Sequence, residues 1–402
     1  MKNNNGPLSG LKVLEVAQYA AGPFAGLLLA DLGADVVKIE RPEGGDLLRS
    51  WPPHLANDQG EAFSASFSAL NRGKRSLTLD LGDPDDCATM IRLVETADIF
   101  LENFRPGVLA KLGLGYDALK AVNSRLVYCS VTGYGQTGPS AKRGAFDVTV
   151  QAESGLMSVT GVDPGEPVKC GVPIADFTAA LYAGFTILAA VSQARETGLG
   201  AHLDCPMFGC LLGISGLQTS AYFATGEAPK RLGSRHSKNA PYQAFRGSDK
   251  GFVVAAGNDK LWHAVCDIVE RDDLKHDRRF QTVNLRAGNQ IELADILQPI
   301  FSNRPADDWL DAFNARGVPC GSINTFKESL ADPQTQHMNL VREMTLPNGV
   351  TTKTVPFPVA ISGFDPIVAG VPKLGEHNDQ VIKDWLSPPP SGSARDKPES
   401  DP

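Results

Sequence analysis

The chain has 402 residues, of which 42% are hydrophobic and 21% charged, and its formal net charge is −8. That length can fill the cores of two domains, and the composition excludes a disordered, collagenous or disulfide-framework chain. The negative balance argues against nucleic acid as a partner, and an anionic ligand would require cations gathered locally.

The N-terminal stretch MKNNNGPLSG lacks the apolar core of a signal peptide, and no apolar run is read as reaching the ~20 residues of a membrane span, so a cytoplasmic protein without a membrane partner is expected. LKVLEVA (11–17) reads as a strand, GPFAGLLLADLGA (22–34) as a helix with Pro23 in its first turn, and DVVKIE (35–40) as a second strand. RSLTLDL (75–81), a helix over 84–97, DIFLENF (98–104), helical sequence around 107–122 and RLVYCSV (125–131) continue the alternation. Strands alternating with helices predict an α/β fold with a Rossmann-like parallel sheet, whose ligands gather at the carboxyl ends of the strands. Cations cluster in this half, as Lys38 with Arg41, Arg72 with Lys74 and Arg75, Lys111, and Lys142 with Arg143. Each is also compatible with ordinary surface charge.

The stretch SVTGYGQTGPSAKRGAFD (130–147) contains G-x-G-x-x-G at Gly133, Gly135 and Gly138. A dinucleotide fingerprint needs a helix to begin at the third glycine, so that its N–H groups meet the pyrophosphate. Here Pro139 follows and Gly144 interrupts, and the lysine of a P-loop is absent. The glycines are therefore expected to shape a loop over another ligand.

A long helix of small residues is expected from Ile174 to about Arg195, then a strand at 201–205 and helical sequence to about Ala224. Asp176 is the single acid near the start of that helix. It can cap the helix by accepting backbone N–H bonds, or serve as a carboxylate nucleophile toward an activated ester. Asp147 is a second candidate acid, with a cap or a supporting partner as its other reading, and His236 reads as a loop histidine rather than a catalyst. From 225 to 330 two strands around Gly247–Gly251 and several helices predict a smaller α+β domain. Proline-punctuated strands and a short helix near 378–385 follow, and the tail 387–402 is expected to be disordered. The seven cysteines (87, 129, 170, 205, 210, 266 and 320) form no C-x-x-C pair, so neither zinc nor disulfides are expected.

The order and spacing of PLSGLKVLEVAQYAAGPFAGLLLADLGADVVKIERPEGGD, LNRGKRSLTLDL, ADIFLENFRPG, YCSVTGYGQTGP, FDVTVQAESGLMSVTG and GVPIADFTAALYAG resemble the family III CoA-transferases over nearly the whole chain. In texture the chain is most similar to the succinyl-CoA:glutarate branch. The resemblance implies an interlocked homodimer. Each chain would supply residues 1–224 and 331–386 to a large Rossmann-like domain, with 225–330 as the small domain. It implies no tightly bound cofactor, a CoA thioester as substrate, and aspartyl anhydride and aspartyl-CoA thioester intermediates on Asp176. CoA contacts are implied at Gln18, Tyr19, Ala20, Ala21, Arg41, Lys74, Arg75, Asn103, Phe104, Arg105 and Lys111. Asp147 is implied as a supporting residue, as is a small-domain glycine loop near Gly257 and Asn258. Arg49, Arg72, Arg105 and His236 are candidates to hold the far carboxylate of a dicarboxylic acceptor such as glutarate, hydroxymethylglutarate, itaconate or mesaconate. Two departures stand out: Ala20 replaces a glutamine that steadies the acyl intermediate in formyl-CoA transferase, and Phe146 occupies the position of the histidine that the related α-methylacyl-CoA racemases require. An α-methylacyl-CoA racemase-like enzyme, which Phe146 disfavours, and a non-catalytic CoA-binding subunit are the alternatives.

Overall fold

The computed structural model describes residues 6–366 and 368–386; the tail 387–402, expected to be disordered, lies outside them. The chain divides into two compact units. The first comprises the residues up to Ser154, Gly171–Gly216 and the chain from Asn339 onward; the second comprises Gly155–Cys170 and Leu217–Met338. The division therefore assigns 155–170 to the second unit, although the sequence suggested an uninterrupted large domain to 224.

The first unit is built on six parallel strands: β1 (Lys12–Val16), β2 (Asp35–Glu40), β3 (Arg75–Thr78), β4 (Ile99–Glu102), β5 (Val127–Thr132) and β6 (His202–Pro206). They lie in the order β3-β2-β1-β4-β5-β6. Strands such as KVLEV and DVVKIE are buried on both faces because helices cover both. The chain runs outward from β1 to β3 and then restarts on the other side of β1 with β4. The loops leaving β1 and β4 consequently diverge, and a crevice opens at their carboxyl ends.

Four helices matter for that crevice. Helix α1 (Ala21–Asp31) is apolar nearly all round and almost wholly buried. Helix α2 (Pro84–Val94) starts on Asp83, whose carboxylate accepts the N–H groups of Asp85 and Asp86. Helices α3 (Asp147–Glu153) and α4 (Ile174–Thr197) follow the glycine-rich stretch; α4 stops at Gly198 with φ of 73°, a left-handed cap that glycine adopts without strain. One core joins Leu14, Val37, Leu77 and Phe100 of the sheet to Met90 and Leu93 of α2. Val381 and Trp385 of the C-terminal helix α5 (Asn378–Leu386) complete it, so both chain ends build this unit.

Helix α4 corrects one expectation. Its 24 residues, with a mean hydropathy of 1.7 over the most apolar window, are long and apolar enough to cross a bilayer. Half of that window is buried inside the protein, where Ala179, Ala180, Ala183 and Ile187 line the core.

In the second unit β7 (Tyr242–Arg246) and β8 (Gly251–Ala255) form the expected hairpin. A third strand, β9 (Cys320–Ser322), pairs with β8; at three residues beside a Val-Pro it leaves no alternating pattern to read. Phe252, Trp262, Phe301, Trp309 and Phe313 fill a separate core.

Candidate active site

The loop between β1 and α1 lies at the switch point of the sheet and is held from below by side chains. Asn103, just past β4, accepts the N–H of Gln18 at 2.9 Å and donates to its carbonyl at 2.7 Å. Tyr19 has φ of 63°, a left-handed backbone that an aromatic residue adopts only when its surroundings impose it. Its N–H reaches Asp46 Oδ1 at 3.3 Å, and its ring meets Trp51 and Phe146 edge-on at 5.7 and 6.2 Å. Ala20 is the N-cap of α1 and offers no side-chain cap, which leaves the Ala21 and Gly22 N–H groups as orphan donors at a positive helix end.

A cavity of about 340 Å³ opens beside this loop, a size suited to a small organic group. Its wall includes Gln18, Arg41 and Phe104, three of the residues expected there. Arg41 is exposed, and no ion pair engages it among the described residues. The same wall contains Leu79, Asp80, Leu81 and Gly82, the chain just past β3, together with Leu109 and Leu112. Sequence reading placed the β3 contribution at Lys74 and Arg75 instead. These residues enter β3 from its amino end, and their charges are used internally. Lys74 is buried, with Glu15 Oε2, Pro23 O and Asn71 Oδ1 at 2.7–2.9 Å. Arg75 pairs with Asp35 and with Asp384. The signal that could have located Leu79–Gly82 is the strand end itself, since carboxyl ends carry ligands in this architecture.

Two candidates for the distal carboxylate are likewise engaged. Arg49 makes a two-pronged pair with Glu40, 2.7 Å on each arm, and lies over the Phe67 ring. Arg72 is buried against Asp31. Burial lifts the Asp31 carboxyl to about 6 even with that guanidinium beside it. Arg105 and Lys111 are exposed and unpaired among the described residues, and the Arg105 guanidinium lies against Gly144, three residues before Asp147.

The two aspartates divide the possible roles between them. Helix α4 has Pro173 as N-cap with no side-chain cap bond, and Asp176 stands at its third position. Asp147 Oδ1 accepts the Ala175 N–H at 2.8 Å, while its Oδ2 accepts from Gln151 Nε2 at 2.6 Å. Asp147 thus serves the first turn of α4 from outside, and the half-buried Asp176 carboxylate accepts no hydrogen bond among the described residues. Burial, reinforced by the nearby Asp147 charge, pushes the Asp176 carboxyl up to about 7. The Phe24 and Phe177 rings pack at 4.6 Å, which brings the first turns of α1 and α4 together.

The glycine motif is a tight loop and leads into no helix at Gly138. Gly135 and Gly138 have φ of 94° and 92°. Thr132 Oγ1 accepts the Gly135 N–H and Asp204 Oδ2 the Gln136 N–H, so these donors are used inside the protein. A Cβ at Gly133 would fall 2.2 Å from that of Ala145.

In the second unit Asn258 caps the helix Asp259–Ile268 by accepting the Leu261 N–H. Gly257, just before it, faces open space: a Cβ there would meet no atom closer than Asn239 Nδ2 at 4.0 Å. His236 stacks on Tyr242 at 4.9 Å, and its Nδ1 accepts the Lys238 N–H. Among the described residues no group of three or more His, Cys, Asp or Glu side chains is placed to hold a metal ion.

Comparison with known proteins agrees with this reading of the fold. The profile of CoA-transferase family III matches residues 8–378. The chain is 40% identical over 386 residues to the succinate–glutarate CoA-transferase of Agrobacterium fabrum, covering 95% of this chain and 96% of that protein. It is 37% identical to the acetyl-CoA:oxalate CoA-transferase of Acetobacter aceti, covering 95% and 97%. A crystal structure of a CAIB/BAIF family protein from Brucella suis superposes with a TM-score of 0.85 at 39% identity, covering 95% of this chain and all of that one. The chain therefore belongs to CoA-transferase family III.

Proposed function

We propose that this protein moves CoA from an acyl-CoA donor, succinyl-CoA in the first instance, to a small dicarboxylic acid, with Asp176 as the nucleophile. Glutarate is the first acceptor to test. The observation that carries the reading is the Asp176 carboxylate, half-buried and without a hydrogen-bond partner among the described residues, at a helix start whose capping is done by Asp147.

The Asp176 carboxylate attacks the donor thioester, the C–S bond breaks, and a mixed anhydride and CoA thiolate result. The thiolate attacks the aspartyl carbonyl of the anhydride, releasing the donor acid and leaving an aspartyl-CoA thioester. The acceptor carboxylate attacks that thioester, and the returning thiolate then cleaves the new anhydride at the acceptor's acyl carbon. This frees the new acyl-CoA and restores Asp176. A carboxylate suits the task because its acyl derivatives retain the energy of the thioester. Without a glutamine at position 20, the Ala21 and Gly22 N–H groups are the donors best placed to meet the oxyanion, each such bond being worth ~3 kcal/mol in acyl transfer.

The cavity at Gln18, Arg41, Phe104 and Leu79–Gly82 is assigned to the CoA nucleotide, with Arg41 at its exposed edge for a phosphate. Arg105 is assigned to the acceptor's far carboxylate, since Arg49 and Arg72 are committed to Glu40 and Asp31. Gly257 and Asn258 are assigned to the loop that excludes water. The protein acts as a homodimer in this reading, supported by Leu181, Phe185 and Leu188, which stand exposed along one side of α4. Mass spectrometry of the purified protein with succinyl-CoA and a panel of free acids tests the proposal: a new acyl-CoA from a dicarboxylic acid is expected, and its absence across the panel contradicts it.

A further inference from the structure

We propose that four buried charged residues beneath the β1–α1 loop, Glu15, Lys38, Asp46 and Lys74, form a positioning device that holds Tyr19 in its left-handed conformation and aims the first N–H groups of α1 at the reacting thioester. The inference rests on the acyl-transfer reading above.

The four groups lie on separate pieces of chain. Glu15 and Lys38 face each other across the β1–β2 register, Asp46 follows β2, and Lys74 precedes β3. Lys38 Nζ has Glu15 Oε1, Asp46 Oδ2 and the Ala17 carbonyl at 2.7–2.9 Å. Lys74 Nζ has Glu15 Oε2, Asn71 Oδ1 and the Pro23 carbonyl in the same range. Each ammonium thus donates hydrogen bonds to two of these oxygens and stands in ion-pair contact with the third, Asp46 Oδ2 for Lys38 and Glu15 Oε2 for Lys74, and the set is electrically neutral. The two carbonyls are those at which the loop leaves β1 and enters α1. Between them Asp46 Oδ1 takes the Tyr19 N–H, and the Asn103 side chain holds both polar backbone groups of Gln18. The loop is therefore fixed at Ala17, Gln18, Tyr19 and Pro23, while the N–H groups of the buried Ala21 and Gly22 have no acceptor among the described residues.

Helix α1 makes room for this arrangement at Gly26, where a Cβ would stand 1.8 Å from Glu15 Oε2 and 3.4 Å from Lys74 Nζ. A glycine in the middle of a helix is destabilising by ~1 kcal/mol. Sealing four ions from water is also an expensive way to fill a core that apolar side chains would fill as well. Both features follow if the required property is the exact course of the loop. The strained φ of Tyr19 is a third sign that the loop is held rather than relaxed.

The test uses Asp46→Asn and Asp46→Ser in the full-length protein, with succinyl-CoA and an acceptor the wild type accepts. Both variants keep an oxygen to cap the turn at Leu47–Ser50, where Asp46 accepts the Leu48 N–H, so a merely structural role leaves kcat near wild type. The proposal predicts a kcat lower by ~10- to 100-fold, as for a misplaced oxyanion donor, with the Kd of free CoA by calorimetry changed less than about threefold. Gly26→Ala, which displaces Glu15 from the opposite side, is predicted to give the same split. The proposal is overturned if any variant that retains the wild-type circular dichroism spectrum keeps kcat within twofold, or if CoA affinity falls as much as kcat/KM while kcat is unchanged. A wild type that transfers CoA to no acid would instead refute the acyl-transfer reading, leaving the two failures distinct.

Discussion

The proposed reaction concentrates its chemistry in the Asp176 carboxyl group, whose proton is held to about pH 7, chiefly because burial disfavours its charged form and secondarily because Asp147 is close. A nucleophile must be ionised, so the acid limb of kcat/KM is expected to rise through about pH 7, well above the ordinary carboxylate range; a limb near 4 would contradict the assignment. The same shift has a consequence for stability. A carboxyl whose folded pKa is raised binds its proton more tightly in the folded state, so folding loses stability as pH climbs from about 4 to about 7. Asp176→Asn removes that loss. Its melting temperature is predicted to exceed wild type by roughly 1–3 °C at pH 8 and to match it near pH 4, measured by calorimetry.

At the scale of elements, the first turn of α4 depends on Asp147 reaching over from α3 to the Ala175 N–H. Asp147→Ala is expected to cost roughly 1 kcal/mol, the value of a lost helix cap, and to lower activity without abolishing it. Denaturant melts and initial rates check both; loss of all transfer with unchanged stability would move the nucleophile's role from Asp176 to Asp147. The bond from the Ala175 N–H to Asp147 was not legible in the sequence, because it joins residues 28 apart in the chain; only the family resemblance separated the two aspartates. The parallel sheet was legible, since β2 and β5 are buried on both faces and each is followed by turn signals. The same pattern hid the lining at Leu79–Gly82. The run RSLTLDL reads as one strand, yet pairing ends at Thr78, where Asn378 accepts the Thr78 N–H, and the following residues turn into the cavity wall. The family resemblance suggested Lys74 and Arg75, but sequence cannot reveal that Glu15 and Asp35 already hold them.

For the whole molecule, the cations divide between those sealed inside the first unit and those left at its surface. Among the described residues Arg49, Arg72, Lys38 and Lys74 are all committed to internal carboxylates, while Arg41, Arg105, Lys111 and Lys142 stand exposed and without an ion pair in the segments that follow the strands. In the proposed reading Arg41 meets a phosphate of the anionic substrate against a net charge of −8, so Arg41→Ala is expected to raise the KM for succinyl-CoA by about tenfold with kcat little changed. An unchanged KM would remove the nucleotide from this cavity. The apolar side of α4 makes a separate demand. Phe185, at 74% exposure, and Leu181, at 56%, are unfavourable in water, and if they form the proposed dimer contact, Phe185→Glu shifts the wild-type dimer toward monomer in sedimentation velocity.

The central claim is that the Asp176 side chain is acylated during turnover. Hydroxylamine added to the protein during steady-state transfer from succinyl-CoA, followed by peptide mass spectrometry, tests it most directly. The account predicts a hydroxamate on residue 176 that forms only when acyl-CoA is present, together with loss of transfer in Asp176→Ala. Continued accumulation of product, with the peptide carrying Asp176 unmodified throughout, would contradict it.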